Sequence, residues 1–281
     1  MNILYCGDRK IEDGLIISIL SLLEHIGEEL QIYVITMDYS SGDRHYLHVT
    51  DKCIHYLNNL IRNSKYGGFV KKIDASSLFA AELPTENMTT RFTPCCMLRL
   101  FSDQISEIPD RVLYLDNDVV CRKDPAEFYY QNIDEFDLAG VLDHYGKWFF
   151  KQEFFHMDYL NSGVLLLNMK RIRENGLFAS CRLMCRQKKM FMPDQSSINK
   201  LAVKKIIRDR RYNEQRKLHK DTVLQHFTTS FRFFPWLHTL TVKPWQTELM
   251  HKKLKIYEYD DILSQYQSIR LALQKSTCEE N

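Results

Sequence analysis

The sequence predicts an α/β protein with a mostly parallel central sheet flanked by helices. Short apolar runs of strand length alternate with longer segments whose apolar residues recur at helical spacing, which is typical of parallel sheets covered on both faces. One apolar run, residues 112–115, leads directly into Asp116-Asn117-Asp118. Because ligand-binding groups in such sheets follow the carboxyl ends of the strands, the same run predicts where a functional site lies.

The first half of the chain alternates strands and helices. Strands are expected at residues 2–6, 31–36, 70–73 and 112–115. Leu15, Ile19 and Leu22 recur at helical spacing and predict the first helix. Further helices are expected at residues 43–61 and 93–105.

The second half continues the pattern, with strands expected at residues 138–142, 163–168 and 222–225. Helices are expected at residues 170–190, at 194–203 and from 257 onward. Asp194 follows Pro193 and is a candidate N-cap for the second of these helices. The aromatic stretch 145–159 is expected to form a loop or a short helical lid.

Length and composition are those of an ordinary globular protein. The chain has 281 residues, of which 44% are hydrophobic and 26% are charged, and we find no repeat or linker in it. We therefore expect one main domain, residues 1–250, followed by a helical tail, residues 251–281.

Charge is unevenly distributed along the chain. Residues 101–160 carry thirteen acidic against five basic side chains, a net charge of −8, and residues 170–220 carry sixteen basic against four acidic, a net charge of +12. An acidic middle suits a metal ion. The basic stretch suits an anionic acceptor or a membrane surface, or it is a solvated helical face. Candidate surface contacts are Lys188, Lys189, Lys204, Lys205 and the run His251-Lys252-Lys253. Nucleic-acid binding is not favoured, since the basic stretch contains no recognisable module.

Cysteine spacing and hydropathy predict a cytoplasmic protein. The eight cysteines form no Cys-x-x-Cys pair, which argues against a structural zinc site. No signal-peptide pattern is present, and the longest uncharged apolar run, residues 14–23, is shorter than the roughly 20 residues of a membrane-spanning helix. We expect free, mostly buried thiols, and at most peripheral contact with the inner face of a membrane.

Asp116 and Asp118 are the strongest chemical signal in the sequence. Side chains two residues apart on an extended strand project to the same side, so both carboxylates are expected to converge on one small volume. Two such carboxylates favour a cation between them. A hard divalent metal takes oxygen ligands and can share them with phosphates, which predicts metal-dependent chemistry on a phosphate ester.

A series of motifs in fixed order supports a more specific interpretation. The motifs are Asn2-Ile3-Leu4-Tyr5-Cys6-Gly7-Asp8, residues 93–100 with Arg99, Tyr114-Leu115-Asp116-Asn117-Asp118-Val119, residues 160–168 with Asn161, Asp194-Gln195-Ser196-Ser197-Ile198-Asn199, Arg211-Tyr212-Asn213, His226, and Lys243-Pro244-Trp245. In these motifs the chain resembles family 8 glycosyltransferases, from Met1 to about Trp245. The resemblance implies the GT-A fold and a retaining transfer from a nucleotide sugar.

The resemblance also implies roles for individual residues. Asp116, Asp118 and His226 would hold Mn²⁺ or Mg²⁺, with the imidazole nitrogen favouring Mn²⁺. Lys243 would neutralise the diphosphate of a UDP-sugar donor. The other donor-binding residues would be Asp8 at the uracil, with Arg99, Asn117, Asp143 and Asn161.

Asp194 and Gln195 are the candidate catalytic residues. By resemblance Gln195 lies near the reacting face of the anomeric carbon, although an amide oxygen is a poor nucleophile. Retention could instead proceed by front-face attack through an oxocarbenium-like state, with the donor phosphate taking the acceptor proton. The sequence leaves both routes open.

The chain departs from the family pattern at three places. Arg9-Lys10-Ile11 replaces the Asp-Asn-Tyr that usually follows the first aspartate, and Met97 replaces a tyrosine. His226-Phe227-Thr228-Thr229 lacks the usual glycine, and the aromatic-rich insert 230–242 separates it from Lys243. Either this insert is a variant lid over the donor, or the assignment of Lys243 is wrong.

Simpler interpretations exist for the separate motifs. His226 could be a hydrogen-bonded structural histidine, and Asn161-Ser162-Gly163 could be a plain turn. Arg99 could form an ion pair on a helix face.

The sequence therefore predicts a metal-dependent retaining transferase that moves glucose or galactose from a UDP-hexose to a glycan, lipid-linked or glycoprotein acceptor. Two alternatives remain open at this point. One is a Mg²⁺-dependent phosphohydrolase with an aspartyl nucleophile, since Asp-x-Asp-x-Val after an apolar strand fits that class. The other is a degenerate protein that binds a sugar nucleotide without transferring the sugar.

Overall fold

The structure is a computed structural model of the 281-residue chain, and it describes residues 1–89, 94–144, 158–232 and 238–278. The strands, in chain order, are β1 (Asn2–Cys6), β2 (Leu30–Thr36), β3 (Tyr39–Ser41), β4 (Arg44–Tyr46), β5 (Gly68–Asp74), β6 (Arg111–Leu115), β7 (Val119–Cys121), β8 (Leu138–Leu142), β9 (Leu160–Asn168), β10 (Lys205–Arg208), β11 (Leu224–His226), β12 (Ser230–Arg232) and β13 (His238–Leu240).

The α-helices are α1 (Glu12–His25), α2 (Asp51–Arg62), α3 (Ser76–Ala81), α4 (Ala126–Tyr129), α5 (Met169–Asn175), α6 (Leu177–Gln187), α7 (Pro193–Leu201), α8 (Thr247–Leu249) and α9 (Asp260–Cys278). Short 3₁₀ segments lie at Arg9–Ile11, Thr85–Asn87 and Arg210–Tyr212, a longer one lies at Pro94–Gln104, and a short π-helix lies at Met250–Leu254.

The central sheet of the described chain has seven strands in the order β10-β8-β9-β6-β1-β2-β5. Strand β9 runs antiparallel to its neighbours β6 and β8, and the other neighbouring pairs are parallel. The predicted mostly parallel α/β sheet is thus confirmed. Because β9 is reversed, its amino end lies at the same edge of the sheet as the carboxyl ends of β1, β6 and β8.

Both faces of the sheet are buried. Along β1, Ile3 and Tyr5 belong to one apolar cluster with residues of α1, whereas Leu4 belongs to a second cluster on the opposite face. Side chains of successive strand residues alternate between faces, so a strand buried on both sides has to be apolar at every position. Each fully buried large side chain contributes about 1.5–3 kcal/mol.

Two helix predictions needed correction. The helix expected from residue 43 begins at Asp51, because the Thr50 hydroxyl accepts a hydrogen bond from the Cys53 amide at 3.2 Å and caps it there. The residues before it pair instead as the hairpin β3–β4. The helix expected over 170–190 is two helices, separated at Gly176, whose φ of 67° is left-handed and ends α5.

Four further predictions concern residues 93–105, the cysteines, the aromatic stretch and the hydropathy of the helices. The segment expected as a helix over 93–105 is a 3₁₀ helix from Pro94 to Gln104. The seven cysteines with described side chains are free, and five of them are buried, as predicted. Most of the aromatic stretch, residues 145–157, lies outside the described residues. No helix in the described segments is both long and apolar enough to cross a lipid bilayer.

Candidate active site

The candidate site lies at the edge of the sheet where β1, β6 and β8 end and β9 begins. Asp8 follows β1, Asp116 follows β6, Asp143 follows β8, and Asn161 is the second residue of β9. The topology therefore brings together residues that are far apart in sequence, as expected for ligand-binding groups of such sheets.

Asp116, Asp118 and His226 form a compact cluster at this edge. His226 Nε2 lies 3.3 Å from Asp118 Oδ1 and 3.6 Å from Asp116 Oδ2, and one ligand atom of each residue lies within 4.8 Å of the others. The pairing of β11 with β7 creates the cluster, because it sets His226 opposite Val119, directly after Asp118. The three side chains are of the types that bind a divalent cation.

Gly163 lies directly against this cluster. A Cβ at this position would lie 2.1 Å from His226 Cε1 and 2.9 Å from Asp116 Oδ2. The Gly163 carbonyl also accepts a hydrogen bond from the Asp116 amide at 2.8 Å. A glycine is therefore needed here because the imidazole and a carboxylate approach the backbone closely.

Lys243 supplies the cationic partner of Asp118. Its ammonium donates to Asp118 Oδ2, and to the carbonyl of Phe227 at 3.2 Å. Burial opposes ionisation of Asp118, but Lys243 and His226 outweigh that effect and lower the pKa of its carboxyl. Burial likewise opposes charge on His226, but Asp118 outweighs it and raises the pKa of the imidazole. The insert 230–242 thus leaves Lys243 beside the cluster.

Arg99 and Tyr114 hold the other carboxylate. Arg99 Nη2 and the Tyr114 hydroxyl both donate to Asp116 Oδ1, at 3.0 and 2.7 Å, so Oδ2 is the oxygen that faces His226. Arg99 is buried, stacks over the Tyr114 ring at 3.9 Å, and lies 3.3 Å from Asp194 Oδ2. Burial opposes the charge of Arg99, but Tyr114, Asp194 and Asp116 outweigh it and raise its pKa.

Both the oxygen and the nitrogen of the Gln195 side-chain amide are hydrogen-bonded. Its Oε1 accepts from the Ser162 amide at 2.9 Å and from the Ser162 hydroxyl at 3.2 Å, and its Nε2 donates to Asp143 Oδ2 at 2.9 Å. Asp194 lies in the first turn of α7, which begins with Pro193, and Met192 takes the N-cap position. The interpretation of Asp194 as an N-cap is therefore wrong, and its carboxylate faces Arg99 instead.

Asp8 and Asn117 lie near the amino end of α1. Asp8 is buried, and its Oδ1 accepts from the Lys10 amide at 3.3 Å. Among the described residues no donor reaches Asp8 Oδ2. Burial raises the pKa of this carboxyl. Asn117 lies against Gly14, where a Cβ would come within 2.2 Å of the Asn117 carbonyl oxygen.

Sequence reasoning did not assign three residues that contact the candidate site residues: Tyr114 at Asp116, Ser162 at Arg99 and Gln195, and Asn213 at His226. Tyr114 and Ser162 lie inside the quoted motifs, next to residues that were assigned, so only their contacts distinguish them. Asn213 belongs to the turn Arg211-Tyr212-Asn213, and the resemblance of this turn to a recurrent turn of the family was the signal in the sequence that could have marked it. Asn213 Oδ1 lies 3.2 Å from His226 Nδ1.

Comparison with known proteins identifies the family. The sequence model of glycosyl transferase family 8 matches residues 2–248. A protein of Streptococcus gordonii named probable glycosyl transferase Gly is 34% identical over 92 residues, which are 32% of this chain and 12% of that protein. The chain thus matches only a small part of the length of this relative.

Solved structures show the same fold. The galactosyltransferase LgtC, crystallised with donor and acceptor sugar analogues, superposes with a TM-score of 0.70 at 18% identity, over 95% of this chain and 96% of that one. The glycosyltransferase GlyE of Streptococcus pneumoniae TIGR4 superposes with a TM-score of 0.62 at 17% identity, over 96% of this chain and 64% of that one. The chain belongs to glycosyl transferase family 8 and has the GT-A fold.

Proposed function

We propose that the protein is a metal-dependent retaining transferase that moves glucose or galactose from a UDP-sugar to a glycan, lipid-linked or glycoprotein acceptor. The observation that supports this most directly is the cluster of Asp116, Asp118 and His226, with ligand atoms within 4.8 Å of one another and Lys243 beside it. An anionic pocket next to a lysine suits a cation and a diphosphate that bind together.

The residues of the cluster fit a divalent metal ion. Asp116 Oδ2, Asp118 Oδ1 and His226 Nε2 converge, and Gly163 leaves the space that their approach requires. Two carboxylates with one imidazole suit Mn²⁺ or Mg²⁺, and the nitrogen favours Mn²⁺. The bound ion would supply positive charge for the diphosphate leaving group.

The remaining residues suggest how the donor lies in the cleft. Asp8 Oδ2, buried and unpartnered among the described residues, suits the N–H of a uracil base. Lys243 suits the diphosphate, and we place Asn117 between base and diphosphate. The network of Arg99, Asp143, Asn161 and Asp194 provides charged and amide groups that suit the hydroxyls of a hexose.

The engagement of Gln195 favours the front-face route over attack by its amide oxygen. Ser162 already donates twice to Gln195 Oε1, so we propose that Gln195 orients the reacting sugar. The acceptor hydroxyl would then attack the anomeric carbon as the sugar–phosphate bond breaks. The departing phosphate oxygen takes the hydroxyl proton, and Asp194 would help to hold the sugar during this step.

We propose that residues 1–250 form the catalytic domain and that residues 251–281 form a tail packed on it through α9. Arg270 of α9 lies 2.8 Å from Asp13 of α1, and this ion pair supports the packing. We also propose a cytoplasmic protein with peripheral membrane contact through exposed basic residues. Lys205 is not one of them, since its side chain is 5% exposed and lies 3.0 Å from Asp158.

The experiment that tests the proposed function measures UDP release without an acceptor, since transferases can hydrolyse their donor slowly. UDP-glucose and UDP-galactose would each be supplied with Mn²⁺, Mg²⁺ or EDTA, and Asp118→Ala serves as the variant. We expect metal-dependent release from one donor, and its loss in a folded Asp118→Ala protein. Binding of UDP with Mn²⁺ but no release from either donor would favour the degenerate binding protein. The family assignment does not favour the phosphohydrolase. Hydrolysis of an aryl phosphate would be needed to support that alternative.

A further inference from the structure

We propose that Asn213 is a positioning residue for His226. Its Oδ1 accepts a hydrogen bond from Nδ1–H, so that Nδ1 keeps its proton and Nε2, which faces Asp116 and Asp118, is the ring nitrogen left for a cation. This inference rests on the proposed metal site for its consequence, although the hydrogen bond at Nδ1 is a property of the metal-free protein. Asn213 is 1% exposed, and it lies 52 residues from Asn161 and 13 residues from His226 along the chain.

Two side-chain oxygens lie beside His226 Nδ1. Asn161 Oδ1 is 3.1 Å away and Asn213 Oδ1 is 3.2 Å away. An amide oxygen only accepts hydrogen bonds. If both neighbours are oxygens, Nδ1 has to carry a proton, so Nε2 is the nitrogen whose proton a cation between the carboxylates can displace.

The orientation of the Asn161 amide follows from groups whose roles are fixed. The Gly163 backbone N–H can only donate, and it lies 3.0 Å from the atom assigned as Asn161 Oδ1. Asp143 Oδ2, which also accepts from Gln195, lies 3.1 Å from Asn161 Nδ2. Reversing the Asn161 amide would bring two N–H groups together at Gly163, so its oxygen faces Gly163 and His226.

The orientation of Asn213 follows from that of Asn161. Asn213 Nδ2 lies 2.9 Å from Asn161 Oδ1 and donates to it. The other end of the same amide, Oδ1, therefore faces His226 Nδ1. Asn161 Oδ1 is already shared by Gly163, Asn213 and His226, so Asn213 provides the less crowded acceptor for the imidazole proton.

This arrangement matters because a histidine binds a metal only through an unprotonated ring nitrogen. His226 Nε2 faces both carboxylates, so the Nε2–H tautomer would place a proton where the cation is expected. Hydrogen bonds that fix the tautomer of a ligating histidine typically change metal affinity by about 10–100-fold. Asn213 would have this effect without touching donor or metal.

The test combines one spectroscopic and one binding measurement on three variants. Asn213→Leu removes both hydrogen bonds at similar volume, and Asn213→Asp keeps an acceptor for Nδ1–H. Gln215→Leu is the matched control, since Gln215 is buried two residues further along and its side chain bonds to the backbone of His144, Leu142 and Asn213 but not to His226. Long-range ¹⁵N–¹H spectra of ¹⁵N-histidine protein, recorded in the presence of UDP and diamagnetic Mg²⁺, report which ring nitrogen of His226 carries the proton. Mn²⁺ affinity in the presence of UDP is measured by electron paramagnetic resonance.

We expect the Nδ1–H tautomer of His226 in the wild-type, Asn213→Asp and Gln215→Leu proteins, and its loss in Asn213→Leu. Mn²⁺ affinity should fall about tenfold or more in Asn213→Leu only. An Nε2–H tautomer in the wild type, or wild-type tautomer and affinity in Asn213→Leu, would overturn the inference. A wild-type protein that shows Nδ1–H but binds no Mn²⁺ would contradict the proposed function and leave the role of Asn213 as acceptor of the Nδ1 proton intact.

Discussion

Lys243 and Asp118 are 125 residues apart in sequence, yet the Lys243 ammonium donates directly to Asp118 Oδ2. The other oxygen of the same carboxylate lies 3.3 Å from His226 Nε2. A cation that binds Asp118 therefore competes with Lys243 unless the ammonium finds another anion. The diphosphate of a nucleotide would be that anion, which couples binding of the metal to binding of the donor.

Replacing Lys243 with methionine should separate these two effects. Mn²⁺ without nucleotide should bind about tenfold more tightly, because a charge-assisted hydrogen bond of roughly 1.5–3 kcal/mol no longer competes for Asp118. UDP in the presence of Mn²⁺ should bind about tenfold more weakly, because the cation that faces the diphosphate is lost. Titration calorimetry with and without UDP measures both. Lys253→Met, at an exposed lysine, is the control. If Lys243→Met weakened the binding of Mn²⁺ alone and the binding of UDP with Mn²⁺ equally, the competition between Lys243 and the cation for Asp118 would be disproved.

Gly163→Ala should damage the cluster with little change elsewhere. The added Cβ would lie 2.1 Å from His226 Cε1, so the imidazole has to move away from the carboxylates. We expect metal-dependent UDP release to fall at least about tenfold. Gly27→Ala is the matched control, since its Cβ would meet nothing closer than 3.8 Å. Unchanged Mn²⁺ affinity in a folded Gly163→Ala protein would show that the close packing at this glycine is not required.

Asp8→Asn should stabilise the fold and weaken nucleotide binding. The carboxylate is buried with Oδ2 unpartnered among the described residues, so its ionised form destabilises the free protein. Removing the charge should raise the free energy of unfolding by about 1 kcal/mol, or the melting temperature by roughly 2 °C. UDP affinity should fall about tenfold through loss of a charged acceptor. Asp134→Asn, at an exposed position, should change neither quantity.

The stability gain of Asp8→Asn should depend on pH. Burial raises the pKa of Asp8 in the folded protein, so the folded state binds a proton more readily than the unfolded chain. The destabilisation is complete above the raised pKa, shrinks as the pH falls below it, and is gone once the pH is below the lower pKa of the unfolded chain. Melting curves of both proteins between pH 7.5 and pH 4 should therefore converge at low pH, and a constant difference would show that Asp8 is not the cause.

Reversing the charge of Lys188 and Lys189 should weaken binding to anionic vesicles. Both side chains are exposed on the segment between α6 and α7, which leads to Asp194. Each lysine near an anionic surface contributes about 1 kcal/mol, so we expect the partition coefficient of Lys188→Glu/Lys189→Glu to fall at least about tenfold in low salt. Lys65→Glu is the control at another exposed lysine. Equal partitioning of all three proteins would remove this part of the proposal.

Much of the fold could be predicted from local pattern. Strands β1, β6 and β8 are short apolar runs bounded by polar residues, and the structure has them within one residue of the predicted bounds. Two helix predictions failed for local reasons that periodicity does not capture. The Thr50 cap starts α2 eight residues late, and the left-handed Gly176 divides a helical pattern into two helices.

The site could be predicted only where a motif marked it. The pair Asp116 and Asp118 is visible from strand position alone, whereas His226 needed the family resemblance because a single histidine has many structural uses. The contacts that orient these residues join distant segments, as between Tyr114 and Arg99 or between Asn213 and Asn161. Such contacts depend on sheet register, which a single sequence does not specify.

The central claim is that Asp116, Asp118 and His226 hold the metal of a UDP-sugar transferase. Its most direct test is a crystal structure with UDP and Mn²⁺, using anomalous scattering at the manganese edge to locate the ion. We predict one peak within coordination distance of Asp116 Oδ2, Asp118 and His226 Nε2, with the diphosphate completing the shell and Lys243 moved from Asp118 to a phosphate oxygen. Bound UDP without a manganese peak at these three residues would contradict the account.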